Sequence, residues 1–254
     1  RFASNPQLFN AQDGLPLGGG IVSDELDNPF ANWTKVYLPY CNQDVFIGGG
    51  VVESFGDFEL PRYGTINLRA GMRVVRDILW KEMDEAGGNG FRPDDLIALF
   101  GGFSAGAYGT IYNFHWVLDD LQWPQTAAFP DAGGALDNGS VAGVRGLGAI
   151  KIPAWGAQPY LPPYCFEGDC AVGPVIYEAL SPRLKQVPVQ QVLILSNQKD
   201  NTQQNDAFFS NEAQWIDAML SAYCETKDLP AIQWYLTSDS VNSVHVVTPR
   251  DEFF

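Results

Sequence analysis

The sequence predicts one α/β domain built on a mostly parallel sheet with helices on both faces. Three observations carry that expectation. Short apolar runs, each bounded by turn residues, recur along the chain without the alternation of a half-exposed strand. Segments of helical periodicity lie between them. No Ser/Pro/Gly linker, charge block or internal repeat divides the 254 residues, so a single domain over residues 1–254 is expected.

The strand candidates are KVYLPY (35–40), LIALF (96–100), AAF (127–129), QVLIL (191–195) and IQWYL (232–236). Between the first two, residues 67–88 place Leu68, Met72, Val75, Leu79 and Met83 at helical spacing, and Gly87–Gly88 follow as a stop. Residues 105–121 read as a second helix, although Gly106 and Gly109 lower its propensity. Residues 210–225 read as a third, opened by a Ser or Asn cap. Residues 155–170, WGAQPYLPPYCFEGDC, read as a loop-rich insertion where a lid or substrate rim sits.

Lys and Arg total 15 against 30 Asp and Glu, a formal charge of -15. Such a polyanion repels phosphates, so neither nucleic acid nor an anionic membrane is an expected partner. No apolar stretch reaches the length of a membrane span. The chain begins at Arg1 with no signal peptide and reads as processed or trimmed. Of the cysteines Cys41, Cys165, Cys170 and Cys224, the middle two bracket a tight polar turn, CFEGDC. A local disulfide and reduced thiols fit that turn equally well. The spacing and the lack of nearby histidines argue against zinc, and no metal or cofactor is expected.

The chemistry centres on Gly102-Phe103-Ser104-Ala105-Gly106, a G-x-S-x-G between a strand candidate and a helix. A sharp strand-to-helix turn exposes the serine hydroxyl at the C-terminal edge of a sheet and requires little bulk on either side. The N–H of Ala105 then points where an oxyanion forms. In a chain with 26 glycines the bare pattern is weak, and the strand and helix around it give it weight. A serine needs a base, and there are only two histidines. His115 lies on the helix that starts at the serine, roughly 15 Å or more away at 1.5 Å per residue. His245 follows the last strand candidate, so its loop returns to the same edge as Ser104. The orienting acid is expected after a later strand: Asp200 first, with Asp131 and Asp206 as alternatives. A lone Asp is more often a turn former or helix cap. The chain order Ser104, Asp200, His245 is the Ser–Asp–His order of the nucleophile-elbow hydrolases.

Four segments resemble the pectin acetylesterase and Notum-type carboxylesterase family: residues 28–49 (NPFANWTKVYLPYCNQDVFIGG), 101–110 (GGFSAGAYGT), 129–137 (FPDAGGALD) and 195–201 (LSNQKDN). The first is the most specific, through its N-P-x-x-x-W and P-Y-C-x-x-D pattern. The resemblance implies an α/β-hydrolase fold and a secreted, metal-free serine esterase that removes acyl groups, often acetyl from polysaccharide. It carries Ser, Asp and His onto Ser104, Asp200 and His245. Two departures stand out. Gln43 occupies a position where the family has glycine. No strand ending in the family's glycine-rich oxyanion loop precedes Asn28, where Gly18–Gly20 read as a stretch downstream of it. A fragment or processed chain is therefore expected, its sheet lacking a strand beside LIALF, with a cleaved N-terminal peptide or partner chain supplying the oxyanion loop.

The sequence thus points to a carboxylic ester hydrolase acting on an acylated small molecule or polysaccharide through an acyl-enzyme. The aromatics Trp33, Phe103, Trp116, Trp123, Tyr160 and Tyr164 are pocket candidates, though core packing is the commoner use of such residues. Two rivals stay open: a lipase or polyester depolymerase for longer chains, and a non-catalytic carbohydrate-binding or structural protein on a hydrolase scaffold.

Overall fold

A computed structural model describes residues 20–85, 96–121, 125–134, 152–161, 191–204, 211–237 and 245–247. In chain order the elements are β1 (Val51–Phe55), β2 (Phe58–Arg62), α1 (Gly64–Glu85), β3 (Ile97–Phe103), α2 (Ala105–Trp116), β4 (Gln125–Asp131), β5 (Val192–Asn197), α3 (Asn201–Gln204), α4 (Glu212–Thr226) and β6 (Ile232–Thr237). Strands β3, β4, β5 and β6 form one parallel sheet in that order, flanked by helices, an α/β-hydrolase-like architecture. Because the strands are parallel, Phe103, Asp131, Asn197 and Thr237 all end at one edge, and the loops that follow them meet there.

The apolar runs account for this sheet. Ala128, Val192, Ile194, Leu195 and Ile232 are buried, as expected of strands covered by other layers. Pro130 lies inside β4 and has no N–H for a ladder, and β4 and β5 pair only at Ala128 with Val192 and Asp131 with Leu195. Helix α2 is buried at every position from Ala107 to Trp116 and packs on β3 and β4. It continues into a π-helical turn over Val117–Leu121. Helix α4 is capped by Asn211, whose side chain accepts the Gln214 N–H at 3.0 Å, and it buries Trp215, Met219 and Ala222.

One predicted strand is not a strand. Residues 35–40, KVYLPY, run as an irregular strap with Val36 and Tyr37 exposed. Pro39 removes a ladder donor. Leu38 packs toward Gly71 of α1 instead, and Tyr40 turns its hydroxyl to the Val45 N–H at 2.8 Å and its ring to Phe46. Its anchors are on a helix and a loop. Conversely, the antiparallel hairpin β1–β2 went unpredicted, although Gly56–Asp57 between two short runs is a two-residue turn signal, and Gly56 has φ 62°. Residues 20–50 add no strand to the parallel sheet, and β3 forms one of its edges among the described residues. Residues 1–19, including Gly18 and Gly19 of the expected glycine stretch, lie outside the described residues, and Gly20 begins a short 3-10 turn. The candidate disulfide of Cys165 and Cys170 also lies outside them, while Cys41 and Cys224 are free and exposed.

Residues 28–49 hold buried polar side chains that organise the backbone around them. Asn28 is buried and its amide donates to the carbonyls of Gly20, Ile21 and Ser23, while its oxygen accepts the Phe30 N–H. Asp44 is fully buried and accepts the Gly64 N–H at 2.7 Å, capping α1 from a distant loop. This explains why α1 starts at Gly64 rather than Asn67. Burial pushes the Asp44 carboxyl above its ordinary range, against the pull of the Gly64 and Phe46 N–H groups. Next to it, Gln43 has φ 50°, a left-handed conformation that suits glycine. Its carbonyl accepts from Arg62 at 2.5 Å, which holds it there. Gln43→Gly is therefore expected to raise stability by up to about 1 kcal/mol. Denaturant unfolding measures this, and a loss of stability would show that the glutamine side chain matters more than the backbone strain.

Candidate active site

Ser104 joins β3 to α2 with φ 53° and ψ -115°, a sparsely populated conformation for a residue with a side chain. Its backbone is held on both sides. Its N–H donates to the Asp131 carbonyl at 2.8 Å, and its carbonyl accepts the Ala107 N–H at 3.0 Å. Serine at this position is ordinarily a helix cap, yet Ser104 makes no side-chain cap hydrogen bond. As first residue of α2, Ala105 carries one of the N–H groups that lack an intrahelical acceptor. Such donors at a helix start favour negative charge.

The two glycines of G-x-S-x-G do different work. A Cβ on Gly102 would lie 2.4 Å from the Gly106 backbone, closer than real Cβ atoms come. A Cβ on Gly106 would meet nothing nearer than Phe46 at 4.0 Å. The expectation that both neighbours must lack bulk therefore holds on the strand side only. Gly102 lets β3 and α2 approach, and Gly106 supplies the backbone that is approached.

Asp200 and His245 are brought together. The His245 Nδ1 lies 2.8 Å and 2.9 Å from the two Asp200 carboxylate oxygens. A carboxylate only accepts, so Nδ1 carries the hydrogen and the neutral ring keeps Nε2 as its basic nitrogen. That Nε2 is buried and has no hydrogen-bond partner among the described residues. Asp200 is fully buried. Its Oδ1 also accepts the N–H groups of Thr202 and Gln203, and its Oδ2 accepts the Gln203 side-chain amide at 2.7 Å. Cap and histidine partner are thus one residue, and the two readings of this Asp do not compete. The Gln203 amide oxygen in turn accepts the Tyr108 hydroxyl at 3.1 Å, which ties the acid to α2. Sequence reasoning missed Gln203 and Tyr108. The pattern Asp200-Asn201-Thr202-Gln203 carries a capping-box signal that points to the first.

The other candidates fall elsewhere. The ring Nδ1 is bonded to Asp200 rather than Asp131, whose Oδ2 accepts the Val247 N–H at 2.8 Å. Asp206, Trp123 and Tyr164 lie outside the described residues. His115 is buried near the end of α2, far along the helix from Ser104. Trp116 is buried with the Arg69 and Arg73 guanidinium groups over its ring, and Tyr160 also packs on Arg69. Burial there pushes Arg69 down to about 10. Trp33 packs edge-on against Phe30. Phe103 is the residue immediately before Ser104.

Comparison with known proteins finds a distant sequence likeness to named esterases. The chain is 28% identical over 147 residues to the palmitoleoyl-protein carboxylesterase NOTUM of Mus musculus. It is 27% identical to NOTUM of Homo sapiens and 28% identical to notum1 of Xenopus laevis over matches of the same length. Each match covers 54% of this chain, and the chain spans 26–27% of the length of these curated relatives. No protein-family model matches the chain. These distant relatives bear out a likeness at the level of Notum-type carboxylesterases.

The glycine asymmetry gives a direct test. Gly102→Ala is expected to disrupt the strand-to-helix turn, lowering stability by about 1–3 kcal/mol as an overpacked substitution. Gly106→Ala is expected to be tolerated or to stabilise by up to about 1 kcal/mol through helix propensity. Thermal midpoints of the two variants decide this, and equal losses would contradict the asymmetry.

Proposed function

We propose that the chain carries the catalytic core of a serine carboxylesterase, with Ser104 as nucleophile, His245 as general base and Asp200 as orienting acid. One observation carries the reading: the Asp200-bound His245 has an Nε2 with no partner among the described residues, at the sheet edge where Ser104 stands in a strained turn and does not cap its helix. Buried polar atoms are rarely left unpaired, so a free ring nitrogen at such an edge is a position for an incoming hydroxyl.

In the proposed reaction Nε2 takes the Ser104 proton as Oγ attacks the ester carbonyl. The Ala105 N–H accommodates the oxyanion of the tetrahedral intermediate. The intermediate collapses, the C–O bond to the alcohol breaks, and the imidazolium returns its proton to the leaving oxygen. Water, deprotonated by the same nitrogen, then attacks the acyl-enzyme and releases the carboxylic acid with Ser104 restored. Asp200 fixes the tautomer and stabilises the imidazolium throughout.

A second oxyanion donor belongs to this scheme. An N-terminal peptide or partner chain that supplies it remains part of the proposal, and we place such a segment beside β3, an edge of the sheet among the described residues. The substrate we favour is an acetylated or other short-chain ester, as on a polysaccharide, met by a secreted protein. No helix among the described residues is long and apolar enough to cross a membrane. A long-chain acyl substrate is the second reading, favoured by the relatives being named for palmitoleoyl-protein.

Hydrolysis of chromogenic esters from acetyl to hexadecanoyl separates these readings. A maximum at acetyl supports the first and a maximum at the long acyl groups supports the second. Ser104→Ala is expected to lower kcat by on the order of 10⁴-fold or more and to abolish fluorophosphonate labelling. Labelling that survives the substitution, or no hydrolysis of any ester by wild type, would contradict the assignment and leave the non-catalytic binding protein as the better account.

A further inference from the structure

We infer that Asp131 is a positioning residue: its buried carboxylate holds the backbone of the histidine loop, and through it His245, in place beside the Ser104 turn. The inference rests on the reading of Ser104 and His245 given above. Asp131 is the last residue of β4 and is fully buried. The imidazole Nδ1 is bonded to Asp200 rather than to Asp131, so we give Asp131 no part in the proton transfer itself. Its contacts reach two parts of the site at once. Its backbone carbonyl accepts the Ser104 N–H at 2.8 Å. Its carboxylate Oδ2 accepts the Val247 N–H at 2.8 Å. The serine turn and the histidine loop are therefore both bonded to one residue.

Geometry explains why this second tether matters. His245 is bonded through Nδ1 to Asp200 on the loop after β5. A ring held only at Nδ1 still swings about that contact, and such a swing moves Nε2 by more than the tolerance of proton transfer. The Val247 N–H is anchored to a different strand, β4, next to the strand that carries Ser104. Two anchors on neighbouring strands fix both the place and the direction of the ring. The acceptor is an oxygen within the core, and a buried N–H that loses its acceptor costs more than the bond itself is worth. A misplacement of about 1 Å in a catalytic group costs on the order of 10²-fold in rate.

The test compares wild type with Asp131→Ala, Asp131→Asn and Val247→Pro, using hydrolysis of a chromogenic acetate ester, fluorophosphonate inactivation and thermal midpoints. Asp131→Ala removes the acceptor and is expected to lower kcat by about 10²-fold, with KM within about twofold and inactivation slowed in step with kcat. Asp131→Asn keeps an oxygen facing the Val247 N–H and is expected to rescue kcat to within about tenfold of wild type. Val247→Pro keeps the aspartate, removes the donor and is expected to reproduce the alanine loss. Folded Asp131→Ala with wild-type kcat overturns the inference, as does Asp131→Asn with an unchanged thermal midpoint and a loss as deep as 10²-fold. Should alanine or proline prevent folding, the asparagine variant decides alone. A wild type that neither hydrolyses the ester nor reacts with the fluorophosphonate overturns the esterase reading itself, which is a different result from an active wild type indifferent to Asp131.

Discussion

The close approach of β3 and α2 at Gly102 is the constraint on which the site depends. With no Cβ at Gly102, the strand backbone comes against the backbone of Gly106, and the chain must turn within the residues between. That turn forces Ser104 to φ 53°. Such conformations cost about 1–3 kcal/mol and persist only where the surroundings over-determine them. Here the surroundings do so: the Ser104 N–H is used by β4, its carbonyl by α2, and α2 is buried from Ala107 to Trp116. The strain goes with a chemical result, since the serine side chain makes no cap hydrogen bond to the helix it precedes.

Everything else at the site follows from the parallel sheet. Strands of one direction deliver their following loops to one edge, so residues far apart in sequence meet without a dedicated motif. Asp200 illustrates how local and long-range demands combine. Its Oδ1 closes the first turn of α3 through the Thr202 and Gln203 N–H groups, which holds the carboxylate rigid before the histidine arrives. Gln203 then ties the same carboxylate to Tyr108 on α2. The acid is thus fixed relative to the helix that begins at Ser104. His245 receives its orientation from a group that is already immobile, which is the arrangement a base needs if proton transfer is to cost no reorganisation.

The parts of this arrangement that could be read from sequence are those governed by burial. QVLIL and IQWYL are mostly apolar, and their strands bury side chains such as Ile194 and Ile232, whereas β3, the LIALF strand, is only partly buried. The helical periodicity of Leu68 and Met72 put α1 in place, and scarcity of histidine left His245 as the candidate base. Misreading began where an apolar run has more than one use. KVYLPY has the composition of a buried strand, but Leu38 and Tyr40 find their partners on α1 and around Phe46. The start of α1 was missed because its cap, Asp44, comes from a distant loop. The contact of Asp131 with Val247 spans most of the C-terminal half of the chain, and no local pattern announces a bond from a side chain to a remote backbone N–H. Gln43 was visible as a departure from glycine, but its left-handed φ required coordinates.

The central claim is spatial: Ser104, the Ala105 N–H and the His245 ring converge on one reacting carbon. A crystal structure of the protein after reaction with a fluorophosphonate tests it most directly. The account predicts phosphorus bonded to Ser104 Oγ, a phosphonyl oxygen within hydrogen-bond distance of the Ala105 N–H, and His245 Nε2 facing the adduct while Nδ1 stays on Asp200. An adduct on another residue, or one on Ser104 with the His245 ring turned away from it, would contradict the account.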